Sequence, residues 1–247
     1  MFNTLSISKT KLTIVLSCFL VFVACQKKAV LTFSETEVSK AQETLVEIVI
    51  PKANGNSNIA QNINKTLTGF ACNILNIDSA KNKKETIEES IEAFNKAYIN
   101  FSKTLVKEFD IDFPKWGALI DGEVSYQNDH LVSIAMNGNI TNGSPSSTLK
   151  FRFFNFDLAN GKLLKTEDII NNMQAFKGIV KKYYDKELLT TYTSLNNDSK
   201  NFKLPETIGF NEDGVIIIYD NFELQNFTKE LIEFTIPFSL LEEYLNY

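Results

Sequence analysis

The chain has 247 residues, a formal net charge of −5 at pH 7 and three cysteines. This acidic balance disfavours a nucleic-acid partner, which requires a basic face. A cationic partner would suit the charge, although moderate acidity also keeps many soluble domains dispersed.

The first 25 residues have the layout of a secretory signal peptide. Lys9 and Lys11 precede an apolar run over residues 12–23, and small residues follow it. The run is shorter than the roughly 20 residues that a membrane-spanning helix needs. Cys25 directly after Ala24 is typical of a bacterial lipoprotein. It predicts cleavage after Ala24 and attachment of acyl chains to the Cys25 thiol.

Alternatives exist within the same segment. Cys18 follows Ser17 and is a rival lipid site, but cleavage there would leave a much shorter apolar run. An ordinary cleaved signal and an uncleaved anchor are the other interpretations. Removal of residues 1–24, which hold two lysines and no acid, lowers the net charge to about −7. We expect a lipid-anchored protein of the cell envelope, in the outer membrane, on its periplasmic side or at the cell surface.

The remaining chain is long enough for one sizeable domain. We predict a polar tether over residues 25–42 and a single α+β domain over residues 43–247. Residues 43–115 are expected to hold one strand, which Pro51 ends, and two helices. Residues 116–247 are expected to be rich in strands.

The two predicted helices have apolar residues at every third or fourth position, the period of an amphipathic helix. We interpret these positions as core. They are Ile59, Ile63, Leu67, Phe70 and Ile74 in the first helix, and Ile87, Ile91, Phe94, Tyr98, Phe101 and Leu105 in the second.

From Trp116 the period changes to the two-residue alternation of strands, over residues 122–128, 130–141 and 148–158. Asn160-Gly161 is a hairpin-turn signal, and short turns favour antiparallel pairing. A helix beginning at Thr166, two more strands and a closing helix from Pro237 should follow. The predicted fold is therefore an antiparallel β-sheet meander with two long helices packed on one face and a C-terminal helix.

Cysteine and histidine are too scarce for most catalytic or metal sites. Without Cys18 and Cys25, Cys72 stands alone, so the domain cannot form an internal disulfide, and the apolar neighbours of Cys72 predict a buried thiol. His130 is the only histidine and lies in a predicted turn, which excludes a multi-histidine zinc site.

The paired carboxylates also do not indicate a catalytic or metal site. Asp110 and Asp112 lead into a predicted loop, and Glu242 and Glu243 lie on the exposed side of the predicted last helix. We predict no cofactor, no metal site and no catalytic residue.

The amino-acid sequences of several later segments resemble those of a bacterial extracytoplasmic domain. Residues 153–162 read Phe-Phe-Asn-Phe-Asp-Leu-Ala-Asn-Gly-Lys and precede an acidic helix start at Thr166. Residues 209–227 and 234–245 continue in the same order as in that family. It is a domain of unknown function found in RsiV-type anti-sigma factors and PdaC-type peptidoglycan deacetylases. The resemblance covers residues 43–245, weakly before residue 116 and well from residue 150, and implies a wall-facing or surface binding module.

One departure from that family defines a first candidate binding segment. Relatives usually carry a Gly-Gly-Ala-His type of run between two strands of the meander. Here the run begins Asn142, Gly143 and Ser144 and contains no histidine. These three residues are candidate binding residues, and the alternative is a plain loop.

A second candidate segment follows a strongly apolar strand. It combines Tyr219, Phe222 and Phe227 with the carboxylate of Glu223. Aromatic rings provide contact area and a charge orients the ligand, as in many binding edges. Alternatively, the rings fasten the loop to the domain, and Glu223 accepts backbone hydrogen bonds.

Three functions compete at this point. The first is a lipid-anchored extracytoplasmic binding module for a lysozyme-like protein or cell-wall glycan, with no catalysis of its own. The second is a structural or assembly subunit of an envelope complex. The third is an unrecognised hydrolase, which would need a deep pocket with convergent carboxylates.

Overall fold

Nine strands and four α-helices make up the part of the chain that the structure describes. This computed structural model describes residues 30–77, 84–109, 113–142, 148–191, 202–219 and 231–247. The strands are β1 (Phe33–Ala41), β2 (Leu45–Ala53), β3 (Gly117–Gln127), β4 (Leu131–Thr141), β5 (Thr148–Asp157), β6 (Leu163–Leu164), β7 (Ile208–Phe210), β8 (Gly214–Tyr219) and β9 (Ile232–Pro237). The helices are α1 (Asn58–Leu75), α2 (Ile87–Phe109), α3 (Thr166–Ile169) and α4 (Met173–Thr191).

The main sheet has six strands in the order β1-β2-β3-β4-β5-β6. From β3 to β6 it is an antiparallel meander, and the α+β class predicted from the sequence is confirmed. The structure adds one feature, because β2 and β3 pair in parallel. A parallel pair requires a long crossover connection, and α1 and α2 lie within it.

Helices α1 and α2 pack on one face of the main sheet, as predicted. Ser57 begins α1 by accepting a hydrogen bond from the Ala60 amide at 3.2 Å. The apolar stripe of α1 then buries Ile63 and Leu67 completely against strand residues such as Ile48. The helical period read from the sequence is thus the contact face of the helix.

The opposite face of the main sheet supports a second, three-stranded sheet with the order β7-β8-β9. Ser133 and Asn155 point to this side and hydrogen-bond to β7. The Ser133 hydroxyl accepts from the Phe210 amide at 3.2 Å, and Asn155 Nδ2 donates to the Ile208 carbonyl at 2.7 Å. Helix α4 completes this second layer with Phe176 and Val180 in a core cluster of its own.

A β-bulge in β3 directs one aromatic residue to the second layer. The pairing of β3 with β4 shifts between Val124 and Tyr126. Val124 packs against the core beneath α1 and α2, whereas Tyr126 contacts the rings of Phe210 and Phe238. Without the extra residue, the two side chains would share one face of the sheet.

The polar tether predicted for residues 25–42 is wrong over residues 33–41, half of its length. Residues Phe33–Ala41 form β1, which pairs with β2 from Phe33 opposite Ala53 to Ala41 opposite Leu45. Polar residues occupy both faces of β1, so the sequence shows little alternation, and backbone pairing with β2 provides the order. Residues 1–29, including the predicted lipid site Cys25, lie outside the described part.

The predicted C-terminal helix is also wrong. The chain end forms two short 3₁₀ turns, Phe238–Leu240 and Glu242–Tyr244. The Asn171 amide donates to the Tyr244 carbonyl at 2.9 Å, and the Asn246 amide donates to the Ile169 carbonyl at 2.8 Å. These bonds fasten the end of the chain to the segment after α3 and compete with a continuous helix.

No helix in the described ranges is both long and apolar enough to cross a membrane.

Candidate functional site

An open groove of about 960 Å³ lies between α1, the β5 end of the main sheet and the segment before β7. Helix α1 lines it with Lys65, Gly69 and Asn73, which lie on one face because they are four residues apart. The rings of Phe70 and Phe154 also line the groove and meet edge to face with centroids 5.7 Å apart. The groove thus combines an aromatic surface with polar and charged walls.

The groove is basic, although the whole chain is acidic. The charged side chains that line it are Lys65, Lys150, Arg152, Lys165, Glu167 and Glu206. Four positive and two negative groups leave a local charge of +2, against −5 for the chain. Arg152 forms an ion pair with Glu206, and its side chain is 15% exposed, so part of this charge is already compensated.

Asn155 of β5 borders the groove and is 3% exposed, with its side chain directed toward β7. Asn155 Nδ2 donates to the Ile208 carbonyl, but Asn155 Oδ1 has no hydrogen-bond partner in the described part of the chain. A buried acceptor without a donor costs roughly 1–3 kcal/mol.

The wall formed by β5 is a sheet edge that side chains have closed. Strand β6 pairs only with Asn155 and Phe156 of β5, so the earlier residues of β5 lie at the edge of the sheet. Arg152 Nη1 donates to the Phe151 carbonyl at 2.8 Å, and the Phe153 amide donates to the Thr207 hydroxyl at 3.1 Å. These bonds occupy backbone groups that could otherwise pair with an added strand.

A second surface lies on the outer face of the main sheet. Its outward positions are Leu45, Glu47 and Val49 in β2, and Leu119, Asp121 and Glu123 in β3. Leu45 is 51% exposed and Leu119 is 46% exposed. Partial burial raises the pKa of Asp121, while a hydrogen bond from Asn137 Nδ2 at 2.6 Å opposes that rise. This acidic sheet face therefore mixes exposed apolar side chains with carboxylates.

The candidate segment at residues 142–144 is only partly described. Asn142 follows β4 and is half-buried, whereas Gly143 and Ser144 lie outside the described residues. Asn142 does not line the groove. The structure does not bring this residue together with the groove residues.

Tyr219 is a core residue rather than an exposed binding residue. It is 4% exposed, its hydroxyl donates to the Lys203 carbonyl at 3.0 Å, and its ring meets Tyr184 edge to face. The binding-edge hypothesis required an accessible ring here, and burial contradicts it for Tyr219. Phe222, Glu223 and Phe227 lie outside the described residues.

Cys72 and His130 lie where the sequence indicated. Cys72 is 1% exposed in the core beneath α1. His130 is exposed in the turn before β4, where its amide donates to Asn128 Oδ1 at 2.8 Å. Within the described ranges, no three His, Cys, Asp or Glu side chains cluster as a metal site would require.

The family-like run at residues 153–162 builds a turn. Asp157 Oδ1 accepts from the Ala159 amide at 2.6 Å, and the Gly161 amide donates to the Asp157 carbonyl at 2.7 Å. Gly161 has a φ of +73°, and a Cβ there would lie 2.8 Å from Ile59 Cα. The motif therefore fastens the turn against the start of α1, and its glycine is structurally required.

A protein-family model described as Deacetylase PdaC matches residues 37–140. That part of the chain is similar to the family. The resemblance predicted from the sequence is thereby confirmed, with a shift in position. The family-model match covers β1 to β4, where the sequence resemblance was weak. The motifs that carried the resemblance, at residues 153–162, 209–227 and 234–245, lie after the matched region.

Two solved structures share the fold of this chain. A member of the DUF3298 family from Bacteroides fragilis NCTC 9343 is 15% identical, with a TM-score of 0.67, and the match covers 88% of this chain and 94% of that one. A DUF3298 family protein from Pseudomonas aeruginosa PAO1 is 16% identical, with a TM-score of 0.61 and coverages of 87% and 93%. At such identities the likeness concerns the fold. No curated protein matches the chain.

Sequence reasoning missed the groove entirely. Lys65 and Asn73 appeared only as the polar face of a predicted helix, and Lys150, Arg152 and Asn155 as parts of a strand. The basic residues at positions 150 and 152 alternate with aromatic ones, which was the available local signal. Only the packing of α1 beside β5 turns these separate patterns into one site.

Proposed function

We propose that this chain is a lipid-anchored extracytoplasmic binding module of the cell envelope, that it binds cell-wall glycan in the groove, and that it performs no catalysis. The observation that carries the proposal is the groove itself. Its volume of about 960 Å³ lies within the usual range for ligand sites. The partly exposed ring of Phe154 suits the apolar face of a sugar ring, and Asn73 and the charged rim suit its hydroxyl and amide groups.

The signal architecture supports the anchoring part of the proposal. A basic start, a short apolar run and a cysteine after Ala24 direct a chain across a membrane and onto a lipid. The match to a family described as Deacetylase PdaC fits an extracytoplasmic module. Cell-wall glycan is therefore a polymer that the groove would meet in its compartment.

Gly69 offers a test that leaves the core untouched. A Cβ at Gly69 would meet no heavy atom within 4 Å, so Gly69→Trp should fold normally and fill the groove. Gly178 in α4 is the matched control, since it is also a helical glycine with open space around it. We expect the full chain in detergent to bind soluble peptidoglycan fragments in calorimetry. Gly69→Trp should lose this binding, and Gly178→Trp should keep it.

Two results would contradict the proposal. The first is an absence of binding by the unaltered chain, which would favour the structural or assembly subunit. The second is equal binding by Gly69→Trp and Gly178→Trp at unchanged melting temperatures, which would locate the ligand away from the groove. Release of reducing sugar or acetate during the incubation would contradict the absence of catalysis.

The acidic sheet face supports a second candidate, a lysozyme-like cationic protein. Exposed Leu45 and Leu119 beside the carboxylates of Glu47 and Glu123 provide apolar contact area with a complementary charge. Glu47→Gln combined with Glu123→Gln should weaken lysozyme binding and reduce its salt dependence. Unchanged binding by this double variant would exclude the acidic sheet face as the contact surface.

A further inference from the structure

Strand β1 forms one edge of the main sheet and has a neighbouring strand on one side only. It pairs with β2 along its whole length, and no strand in the described ranges pairs with its other side. None of its residues is a proline, so every backbone amide of the strand can donate a hydrogen bond. An unpaired edge presents a row of amide and carbonyl groups to which another extended chain can add.

The pairing pattern identifies the backbone groups of β1 that point away from β2. In an antiparallel pair, the residues that exchange hydrogen bonds recur at every second position. The Asn54 amide donates to the Thr32 carbonyl at 2.9 Å, one step beyond the strand, so the even-numbered residues of β1 bond to β2. The Leu45 amide agrees with this pattern, since it donates at 2.9 Å to the Trp116 carbonyl on the β3 side. The backbone groups that point to the free side are those of Phe33, Glu35, Glu37, Ser39 and Ala41.

Side chains close the β5 edge of the same sheet, but they leave the β1 edge open. Gln127 Nε2 donates to the Leu31 carbonyl at 3.0 Å, and Lys115 Nζ donates to the Gln42 carbonyl at 2.6 Å. Both acceptors lie just outside the strand. Within the described ranges, no side chain bonds to the backbone of residues 33–41. The open part of the edge is therefore the whole of β1.

The side chains beside this open edge are negatively charged. Glu35 and Glu37 are exposed and lie on one face of β1, and exposed Glu47 of β2 lies on the same face, opposite Ser39. None of these three carboxylates forms an ion pair with a residue in the described ranges. The edge thus combines free backbone groups with uncompensated negative charge.

This charge distinguishes between two possible occupants of the edge. A second copy of the chain, paired through its own β1, would bring another Glu35 and Glu37 to the same face of the extended sheet. Like charges on neighbouring strands repel each other, so self-pairing is disfavoured. A strand with lysine or arginine at every second position would instead place a positive charge opposite each glutamate.

We infer that β1 accepts an extended basic segment of a partner protein as an added antiparallel strand. Backbone hydrogen bonds to the odd-numbered residues of β1 provide the affinity. The basic side chains lie opposite Glu35 and Glu37 and determine the register of the added strand. This inference goes beyond the proposed function, because it involves neither the groove nor a glycan.

The experiment uses a synthetic peptide of five Thr-Lys repeats and two N-methylated forms of it. In the expected register the lysines are opposite the glutamates and belong to hydrogen-bonded pairs, so their backbone amides point to β1. Methylation of the lysine amides removes these donors and keeps the charge, whereas methylation of the threonine amides affects only the far side of the peptide. Calorimetry with the full chain in detergent should show binding of the unmethylated and the threonine-methylated peptides. The lysine-methylated peptide should bind at least about tenfold more weakly.

Variants of the chain test the residue assignment. Glu35→Gln combined with Glu37→Gln should weaken binding of the unmethylated peptide roughly fivefold. The matched control is Glu88→Gln combined with Glu92→Gln, an equal change of charge at exposed positions of α2. Ser39→Pro removes one outward amide and no charge, and an edge strand tolerates proline at such a position. This variant should lose most of the binding at a nearly unchanged melting temperature.

Hydrogen exchange measured by mass spectrometry locates the bound peptide on the chain. Exchange of the segment that contains residues 33–41 should become slower when the unmethylated peptide binds, because its outward amides gain hydrogen bonds. Slowing confined to other segments would place the peptide elsewhere and overturn the inference.

Three further results would also overturn it. One is that the unmethylated peptide does not bind. Another is equal binding of the two methylated peptides, which would show attraction by charge without strand pairing. The third is a dimer of the unaltered chain in sedimentation that Ser39→Pro abolishes, which would assign the edge to a second copy. Glycan binding in the groove is measured separately, so each of these results leaves the proposed function in place.

Discussion

Asn155 on β5 donates its side-chain amide to the Ile208 carbonyl on β7 at 2.7 Å and so joins the two sheets. A second connection runs close by, where the Ser133 hydroxyl accepts from the Phe210 amide at 3.2 Å. Both polar side chains are buried between apolar layers, at 3% and 0% exposure. They determine which strand of the second sheet faces which strand of the first, since apolar contacts alone are not directional.

Removing either connection should destabilise the domain. Asn155→Ala leaves the Ile208 carbonyl without a donor, and Ser133→Ala leaves the Phe210 amide without an acceptor. Each should lower the free energy of unfolding by about 1–3 kcal/mol in urea titrations. Ser125→Ala is the control, because its hydroxyl hydrogen-bonds the Ser133 carbonyl outside the buried layer. A loss as large in the control would show that these bonds have no special role between the sheets.

The aromatic core beneath α2 should respond strongly to truncation. Phe94 is 1% exposed, and its ring lies 5.8 Å from that of Trp116. Phe94→Ala should cost roughly 3–5 kcal/mol, because it removes a buried ring and leaves a cavity. Phe101, on the same helix and against the same tryptophan, is 36% exposed, so Phe101→Ala should cost clearly less. Equal losses in chemical denaturation would contradict this assignment of the core.

The helices could be predicted from the sequence because the spacing of apolar residues along the chain matches the helical period. The stripes that contain Ile63 and Phe94 are the buried faces of α1 and α2. Pairing between strands that are distant in the sequence produces no comparable local pattern. The parallel contact of β2 with β3 joins residues about 70 positions apart, as in Val46 opposite Ala118.

The groove was unpredictable for the same reason. Lys65 and Asn155 become neighbours of one cavity only through the packing of α1 on the main sheet. The burial of Tyr219 depends on α4, whose Tyr184 covers its ring. Short-range composition suggested a binding edge there, and tertiary packing produced a core instead.

The pair Lys162 and Asp168 should make stability depend on pH at the acidic end. The hydrogen bond from Lys162 Nζ at 2.8 Å, and then the Lys165 amide at 2.9 Å, lower the pKa of Asp168 below its ordinary 3.8. A carboxyl group with a lowered folded pKa stabilises the fold above the unfolded pKa, and that contribution is lost as pH falls through the folded value. Asp168→Asn should therefore lower the melting temperature at pH 7 and have little effect near pH 2. An equal effect at both pH values would exclude the charge of Asp168 as the cause.

Lipid anchoring can be tested at Cys25 without reference to the groove. Cys25→Ser should abolish incorporation of labelled palmitate and release the protein from membranes, because the thiol is the proposed acylation site. Cys18→Ser is the matched control and should label normally. Persistent labelling of Cys25→Ser, with loss in Cys18→Ser, would move the lipid site to Cys18.

Gly161 should be the least replaceable residue of the turn at residues 157–162. Its φ of +73° is unfavourable for any residue with a Cβ, and that Cβ would lie 2.8 Å from the backbone of Ile59. Gly161→Ala should therefore destabilise the domain by about 1–2 kcal/mol or more, since either the turn or the start of α1 must move. Gly178→Ala in α4 is the matched control. It has open space and a helical position, so it should be neutral or stabilise by up to about 1 kcal/mol. Urea titrations of both variants would decide, and a Gly161→Ala protein as stable as Gly178→Ala would show that the turn does not depend on its glycine.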